Sequence, residues 1–344
     1  MINNKSLVFI ALALVLSVTV FSGYQYIFQE NILVKDTHPE SMQVCIKKDT
    51  EFNDLLGELV KLDVVHEPLS FAFIAKVMGY RDNVKPGCYT LKKGMTNPEA
   101  IRVLRTGDVR EMDITFSNAR FIEELAGDLT HGIEADSVKM LSLLTSDSVA
   151  KAYGFSKETF IAMFIPNTYR LFWYSNEQAV LDRMKKEYDK FWTAERQALA
   201  KKQNLTQIEV ATLASIVQNE SLNKKEQPKV AGLYLNRLNK KMLLQADPTV
   251  KFALQDFSLK RILYAHLEVD SPYNTYKYAG LPPGPISMPH VSSLEAVLNP
   301  DEHEYIYMCS IGDGSELHNF AKTNAEHNRN REIYKRNLKN RQVL

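Results

Sequence analysis

The sequence predicts an α+β protein: an N-terminal apolar helix, a small mixed module, a helical middle region and a C-terminal α+β domain. Three observations predict this. The run 7–28 carries no charge. Short strand-like runs alternate with helical spacing between residues 44 and 107. From residue 120 the apolar spacing is mostly helical, until prolines, glycines and tyrosines crowd into 271–289.

Composition removes whole classes. The 344 residues are 45% hydrophobic and 24% charged, with a formal net charge of +1, which excludes an intrinsically disordered chain. So even a balance offers no broad electrostatic grip on nucleic acid, and no nucleic-acid partner is expected. The 3 cysteines, Cys45, Cys88 and Cys309, lie too far apart for metal-ligand spacing and allow at most one disulfide. His303, His318 and His327 lack zinc spacing as well, so neither metal nor cofactor is expected.

As a helix, 7–28 would span roughly 33 Å, enough for a bilayer. Tyr24, Tyr26 and Phe28 suit the far interface. Lys5 and the amino terminus precede the run with no acid beside them, which predicts a cytoplasmic start. No Ala-x-Ala site follows, so an uncleaved anchor is expected rather than a signal peptide. The expected location is a cell membrane crossed once, with the body on the extracytoplasmic (periplasmic) side.

The boundaries read as 1–30 for cytoplasmic tip and anchor, 31–43 for a polar linker, 44–119 for the small module, 120–203 for the helical middle region and 204–344 for the C-terminal domain. In the module, Val44–Ile46 and Cys88–Leu91 read as strands. Phe52, Leu55, Leu56 and Leu59 have helical spacing, and Pro98 opens a helix capped at Gly107. The stretch 177–202 is a long amphipathic helix with Val180, Leu181, Met184, Tyr188, Phe191 and Trp192 on its apolar side.

Thr206 and Glu209 form a capping-box signal, so a helix starts at Gln207. It continues through Ala211–Val217, apolar almost all round and therefore buried. Glu220 ends that run on the face of Leu213 and Ile216. A carboxyl group there loses hydration, its pKa rises, and it stays protonated near neutrality, as a general acid requires. An acid that simply reaches solvent at a helix end would leave the same sequence trace.

The following segments carry more: Asn236-Arg237-Leu238, Gln245-Ala246-Asp247-Pro248-Thr249, Tyr273-Asn274-Thr275-Tyr276, Gly280-Leu281-Pro282-Pro283-Gly284-Pro285-Ile286 and His318-Asn319-Phe320. In order and spacing the segment 211–328 resembles the MltG (YceG-like) endolytic murein transglycosylases. Lys85-Pro86-Gly87-Cys88-Tyr89 resembles the LysM-like region of that family, and Pro166, Thr168 and Tyr169 also agree. The sequence departs from the family pattern at Gln218-Asn219-Glu220, where Glu-x-Glu is common, which leaves Glu220 as the sole candidate for the catalytic glutamate. Ala162-Met163 and Asn167 are further departures.

The resemblance implies cleavage of the β-1,4 bond between N-acetylmuramic acid and N-acetylglucosamine within nascent peptidoglycan glycan strands. The muramic acid 6-hydroxyl attacks its own C1 and leaves a 1,6-anhydro end, so strand elongation terminates. A nucleophile already held in place removes the need for a second carboxylate. Within these segments Gln245, Asp247, Thr249, Tyr273, Asn274, Tyr276 and His318 are expected to bind substrate: the tyrosines offer ring faces and hydroxyls, Asn274 and Gln245 amide donors, and Asp247 an acceptor. The resemblance further implies peptidoglycan synthases (penicillin-binding proteins) as partners. Asp247, if close enough to the bond, is a second acid. The alternatives are an inactive peptidoglycan-binding scaffold, a hydrolytic muramidase, or a peptidase using Ser215 or Ser271, which the lack of a Gly-x-Ser-x-Gly elbow disfavours.

Overall fold

Cys45 and Cys88 face each other across two antiparallel strands, β1 (Ser41–Ile46) and β2 (Gly87–Lys92), and are joined by a disulfide; Cys309 is a free thiol. This arrangement belongs to a computed structural model that describes residues 4–106, 111–259 and 261–341, with the side chains of 4–8 and 11 excepted. Mixed helix and strand run throughout, as the α+β reading expects. The chain divides into two units. One runs to Asp113 and adds Gly132–Ala135 and Arg170–Asn176; the other comprises Ile114–His131, Asp136–Tyr169 and Glu177–Leu344.

In the first unit, helices α1 (Asn4–Phe28), α2 (Phe52–Lys61), α3 (Pro68–Val77) and α4 (Asn97–Thr106) accompany the β1–β2 pair. Leu55 and Leu59 of α2, Phe71 of α3, Leu104 of α4 and Tyr89 of β2 are buried together. The expected linker is corrected at its start. Ile32 and Leu33 lie in this core, and the Leu33 amide donates to the Val64 carbonyl at 2.9 Å. Asn31 is buried beside them, its Nδ2 donating to Asn97 Oδ1 at 2.7 Å. A polar side chain buried with its partners supplied can sit inside such a core, which composition alone does not reveal. The C-cap expected at Gly107 lies outside the described residues.

Helix α1 is one continuous 25-residue element. Its described apolar side chains, among them Phe9, Ile10, Leu12, Leu16, Val20 and Phe21, are exposed, while Ile27 packs on the core of the unit. The span predicted over 7–28 includes Leu7, Val8 and Ala11, whose side chains lie outside the described residues. Among the described residues no helix is long and apolar enough to cross a membrane.

Strands β3 (Glu111–Phe116) and β4 (Asn167–Phe172) pair and carry the chain from one unit into the other. The second unit begins with the short helices α5 (Leu125–Thr130), α6 (Ser137–Leu144) and α7 (Asp147–Ala152). The long helix expected over 177–202 is two, α8 (Glu177–Phe191) and α9 (Ala194–Lys202), because Thr193 Oγ1 accepts from the Arg196 amide and caps a new start. The unit continues through α10 (Gln207–Glu220), α11 (Gln227–Asn239), α12 (Asp247–Leu254), α13 (Tyr264–Leu267) and α14 (Val291–Leu298). It closes with the antiparallel pair β5 (Tyr307–Ser310) and β6 (His318–Ala321), and α15 (Asn324–Asn340).

Helix α10 is the centre of this unit. Every residue from Val210 to Gln218 is buried, and α11 and α14 pack against it. The proline-rich loop after α13 is held tightly. At Gly284 a Cβ would lie 2.2 Å from the Glu158 carbonyl oxygen, so only glycine fits.

Candidate active site

Local sequence fixes where Glu220 comes to rest. Thr206 and Glu209 complete a reciprocal capping box, with the Thr206 amide donating to Glu209 Oε2 at 2.7 Å. From that start the 14 residues of α10 end on Glu220, and Ser221 leaves the helix in extended conformation. Glu220 therefore stands at the end of a buried helix, half-buried and facing a cleft of about 280 Å³.

The cleft gathers Glu220, Tyr234, Arg237, Gln245, Asp247 and Tyr276, with Ser310 and His318 from the β5–β6 pair. Tyr234, one turn before Arg237 on α11, donates its hydroxyl to Glu220 Oε1 at 2.9 Å. Among the described residues Oε2 has no hydrogen bond, so it is the oxygen free for proton exchange. Burial pushes the Glu220 carboxyl up from 4.5 to about 7, and the charge of Asp247 pushes in the same direction. Tyr234, Arg237 and Lys251 pull less strongly the other way. The partial negative charge at the end of α10 adds to the upward push.

Arg237 is buried and, among the described residues, pairs with no carboxylate. Its Nε donates to the Ile306 carbonyl at 2.6 Å, and its Nη1 to the Leu244 carbonyl at 2.8 Å and Gln245 Oε1 at 3.3 Å. One guanidinium thus ties α11 to the strand side and to the 243–245 turn, where Gln245 adopts φ 53. Asp247 starts α12 and accepts from the Tyr276 hydroxyl at 2.5 Å.

The far wall depends on another acid. Glu226 is buried; its Oε1 accepts from the His318 amide at 2.8 Å, and its Oε2 lies 2.8 Å from His318 Nδ1 and accepts from Ser221 Oγ at 2.9 Å. This clamp holds the His318 ring with Nε2 left for the cleft.

Gln245, Asp247, Tyr276 and His318 therefore share the cleft with Glu220, and three other expected residues do not line it. Asn274 is fully buried; its Nδ2 donates to the Leu267 and Val269 carbonyls and its Oδ1 accepts from the Tyr276 amide, so it staples the loop. Thr249 is buried against Thr275, their hydroxyls 2.8 Å apart. Tyr273 packs on Phe252 with ring centroids 4.7 Å apart, and burial pushes its phenol up to about 12. Ser215, the peptidase candidate, is buried and donates to the Thr212 carbonyl. Tyr234 and Glu226 are not among the expected site residues, and Arg237 enters the sequence reading only as part of the Asn236-Arg237-Leu238 segment; the i, i+3 pairing of a tyrosine and an arginine on α11 is the available signal.

Comparison with known proteins gives the family. The YceG-like family matches residues 44–333. A protein of Bacillus subtilis named endolytic murein transglycosylase is 28% identical over 337 residues, covering 91% of this chain and 90% of its own length. One of the same name from Streptococcus pneumoniae serotype 2 is 27% identical over 356 residues, and the match takes in 94% of this chain but 63% of the pneumococcal protein. The crystal structure of a YceG-like protein from Listeria monocytogenes superposes with a TM-score of 0.53 at 28% identity, over 84% of this chain and 98% of that one. With most of its length matched in sequence and fold, this chain belongs to the YceG-like family.

Proposed function

We propose that this chain is a membrane-anchored endolytic murein transglycosylase that cuts nascent glycan strands with Glu220 as its acid and base. The observation that carries the reading is a single glutamate held near neutrality in a cleft, with one oxygen bonded and the other free. Protonated Oε2 gives its proton to the glycosidic oxygen as the bond from muramic acid C1 breaks. The 6-hydroxyl oxygen closes on C1, and the Glu220 carboxylate takes the hydroxyl proton. No water is consumed, and the glutamate ends protonated as it began. Proton transfer of this kind supplies about 10²–10⁴-fold in rate. The Asp247 carboxylate, oriented by Tyr276, favours positive charge developing at C1.

The exposed apolar surface of α1 supports the anchor, since such a helix is at home in lipid. The Cys45–Cys88 bond supports a body outside the cytoplasm, where disulfides persist. A LysM-like role for the small module and contact with peptidoglycan synthases in the same membrane belong to this reading. Hydrolysis to reducing ends is the second reading, favoured by Asp247 as another carboxylate in the same cleft.

Digestion of uncrosslinked glycan strands, with mass analysis of the ends, tests the proposal. Wild type is expected to release internal fragments with 1,6-anhydro ends, and Glu220→Gln none. Reducing ends would establish the second reading, and undiminished release by the variant would remove Glu220 from the mechanism.

A further inference from the structure

A second cavity lies on the other side of the end of α10. It encloses about 410 Å³, within the range of ligand pockets, and no step of the mechanism uses it. Glu220 faces the catalytic cleft, while the two residues before it, Gln218 and Asn219, line this one. The segment 118–124 forms the opposite wall, fixed there by the Met288 amide donating to the Ala119 carbonyl at 2.8 Å.

The walls divide into locked and unengaged groups. Gln218 is locked: Nε2 donates to the Met288 carbonyl, and Oε1 accepts from the His290 amide at 2.6 Å. Gln227 is held between the Ser221 carbonyl and Ser293. Asn219 donates its Nδ2 to the Ser215 carbonyl and Ser287 Oγ, which leaves its Oδ1 for an incoming donor. His290 lines the cavity too, but its Nε2 is buried, with no hydrogen-bond partner among the described residues, and offers nothing to a ligand there.

Charge completes the pattern. Arg120 and Lys224 both line the cavity, and neither has a carboxylate partner within ion-pair distance among the described residues. The Arg120 guanidinium lies over the Phe257 ring, 3.8 Å from its centroid, which orients the edge donors while leaving them free. Glu124, the acid on the wall, spends its Oε2 on the Arg120 amide at 3.0 Å. Leu222 adds an exposed apolar side chain at the mouth. Two cations unpaired among the described residues, the Asn219 amide oxygen and an apolar contact match a short acidic peptide: carboxylates, a backbone amide and a small side chain.

We propose that this cavity seats the acidic peptide carried by the muramic acid of the glycan strand, with Arg120 and Lys224 binding its carboxylates. The inference rests on the murein-cleaving reading for the identity of the ligand. A strand engaged over Glu220 would thereby be registered by its peptide as well as by its sugars, and stripped strands would lose that grip.

The test is binding, separate from turnover. Calorimetry on the full chain compares soluble N-acetylmuramoyl-peptide bearing free carboxylates with N-acetylmuramoyl-alanine amide. The acidic ligand is expected to bind about tenfold more tightly at low salt, the effect of a charge-assisted hydrogen bond. The advantage should shrink as salt rises and disappear in Arg120→Gln/Lys224→Gln. Both side chains are exposed, so the double variant is expected to melt with wild type. Equal affinity for the two ligands, no binding of either, or an advantage that survives the double substitution overturns the inference. An intact advantage in a chain that releases no glycan fragments would keep the peptide site and remove the catalytic reading.

Discussion

Glu220 and Glu226 are six residues apart, both turned into the protein beside the same cleft, and their surroundings differ in one decisive way. Glu226 receives the His318 amide, the His318 ring and the Ser221 hydroxyl, so both its oxygens are engaged. Glu220 receives one phenol and keeps an oxygen free, with Asp247 nearby to disfavour its charge. Burial alone does not make an acid catalyst. The number of donors aimed at the carboxylate decides whether it serves as a clamp or exchanges protons.

The largest effect should come from Glu220→Gln, which keeps the shape and removes the proton. Turnover is expected to fall about 10³-fold, read from fragment release. The same variant should gain stability. Because folding raises this pKa from 4.5 to about 7, the folded state binds more protons across that window, and ionisation costs stability as pH rises through it. The melting advantage of Glu220→Gln over wild type should be absent below pH 4.5 and reach on the order of 3 kcal/mol above pH 7. An advantage that shrank with rising pH would reverse the assignment.

Glu226→Gln should behave as damage to a clamp. Leaving buried donors poorly matched costs about 1–3 kcal/mol in stability, with about a tenfold loss of turnover as His318 loosens. Chemical denaturation measures the first and fragment release the second. A loss as deep as that of Glu220→Gln would mean the two acids had been assigned to the wrong roles.

Smaller effects tune the working acid. Asp247→Asn removes a negative charge that raises the Glu220 pKa, so the alkaline limb of the activity profile should move to lower pH. Tyr234→Phe removes the hydrogen bond that favours the ionised form, so the limb should move to higher pH, with a stability loss of about 1 kcal/mol. Shifts in the same direction would show that the limb belongs to another group.

What was legible in the sequence was local. The capping box at Thr206 and Glu209 and the apolar run behind it placed Glu220 at a helix end, because both signals act within a few turns. The cleft was not legible in the same way, because its walls come from α11, the start of α12, the 271–276 loop and the β5–β6 pair. Tyr234 reads as a core residue by spacing, and Glu226 sits in a polar turn with Asn223, Lys224 and Lys225 that reads as solvated. Asn274 and Thr249 mislead for the opposite reason. They stand in the richest motifs, yet they turn inward to satisfy buried loop groups, which a polar side chain in an irregular segment often must do.

The protonation state of Glu220 is the claim on which the rest depends, and a ¹³C-carboxyl NMR titration of that side chain reads it directly. The account predicts a midpoint near 7, moved downward in Asp247→Asn. A midpoint near 4.5, unmoved by that substitution, would mean the carboxyl is ionised and solvated at working pH and is not the proton donor.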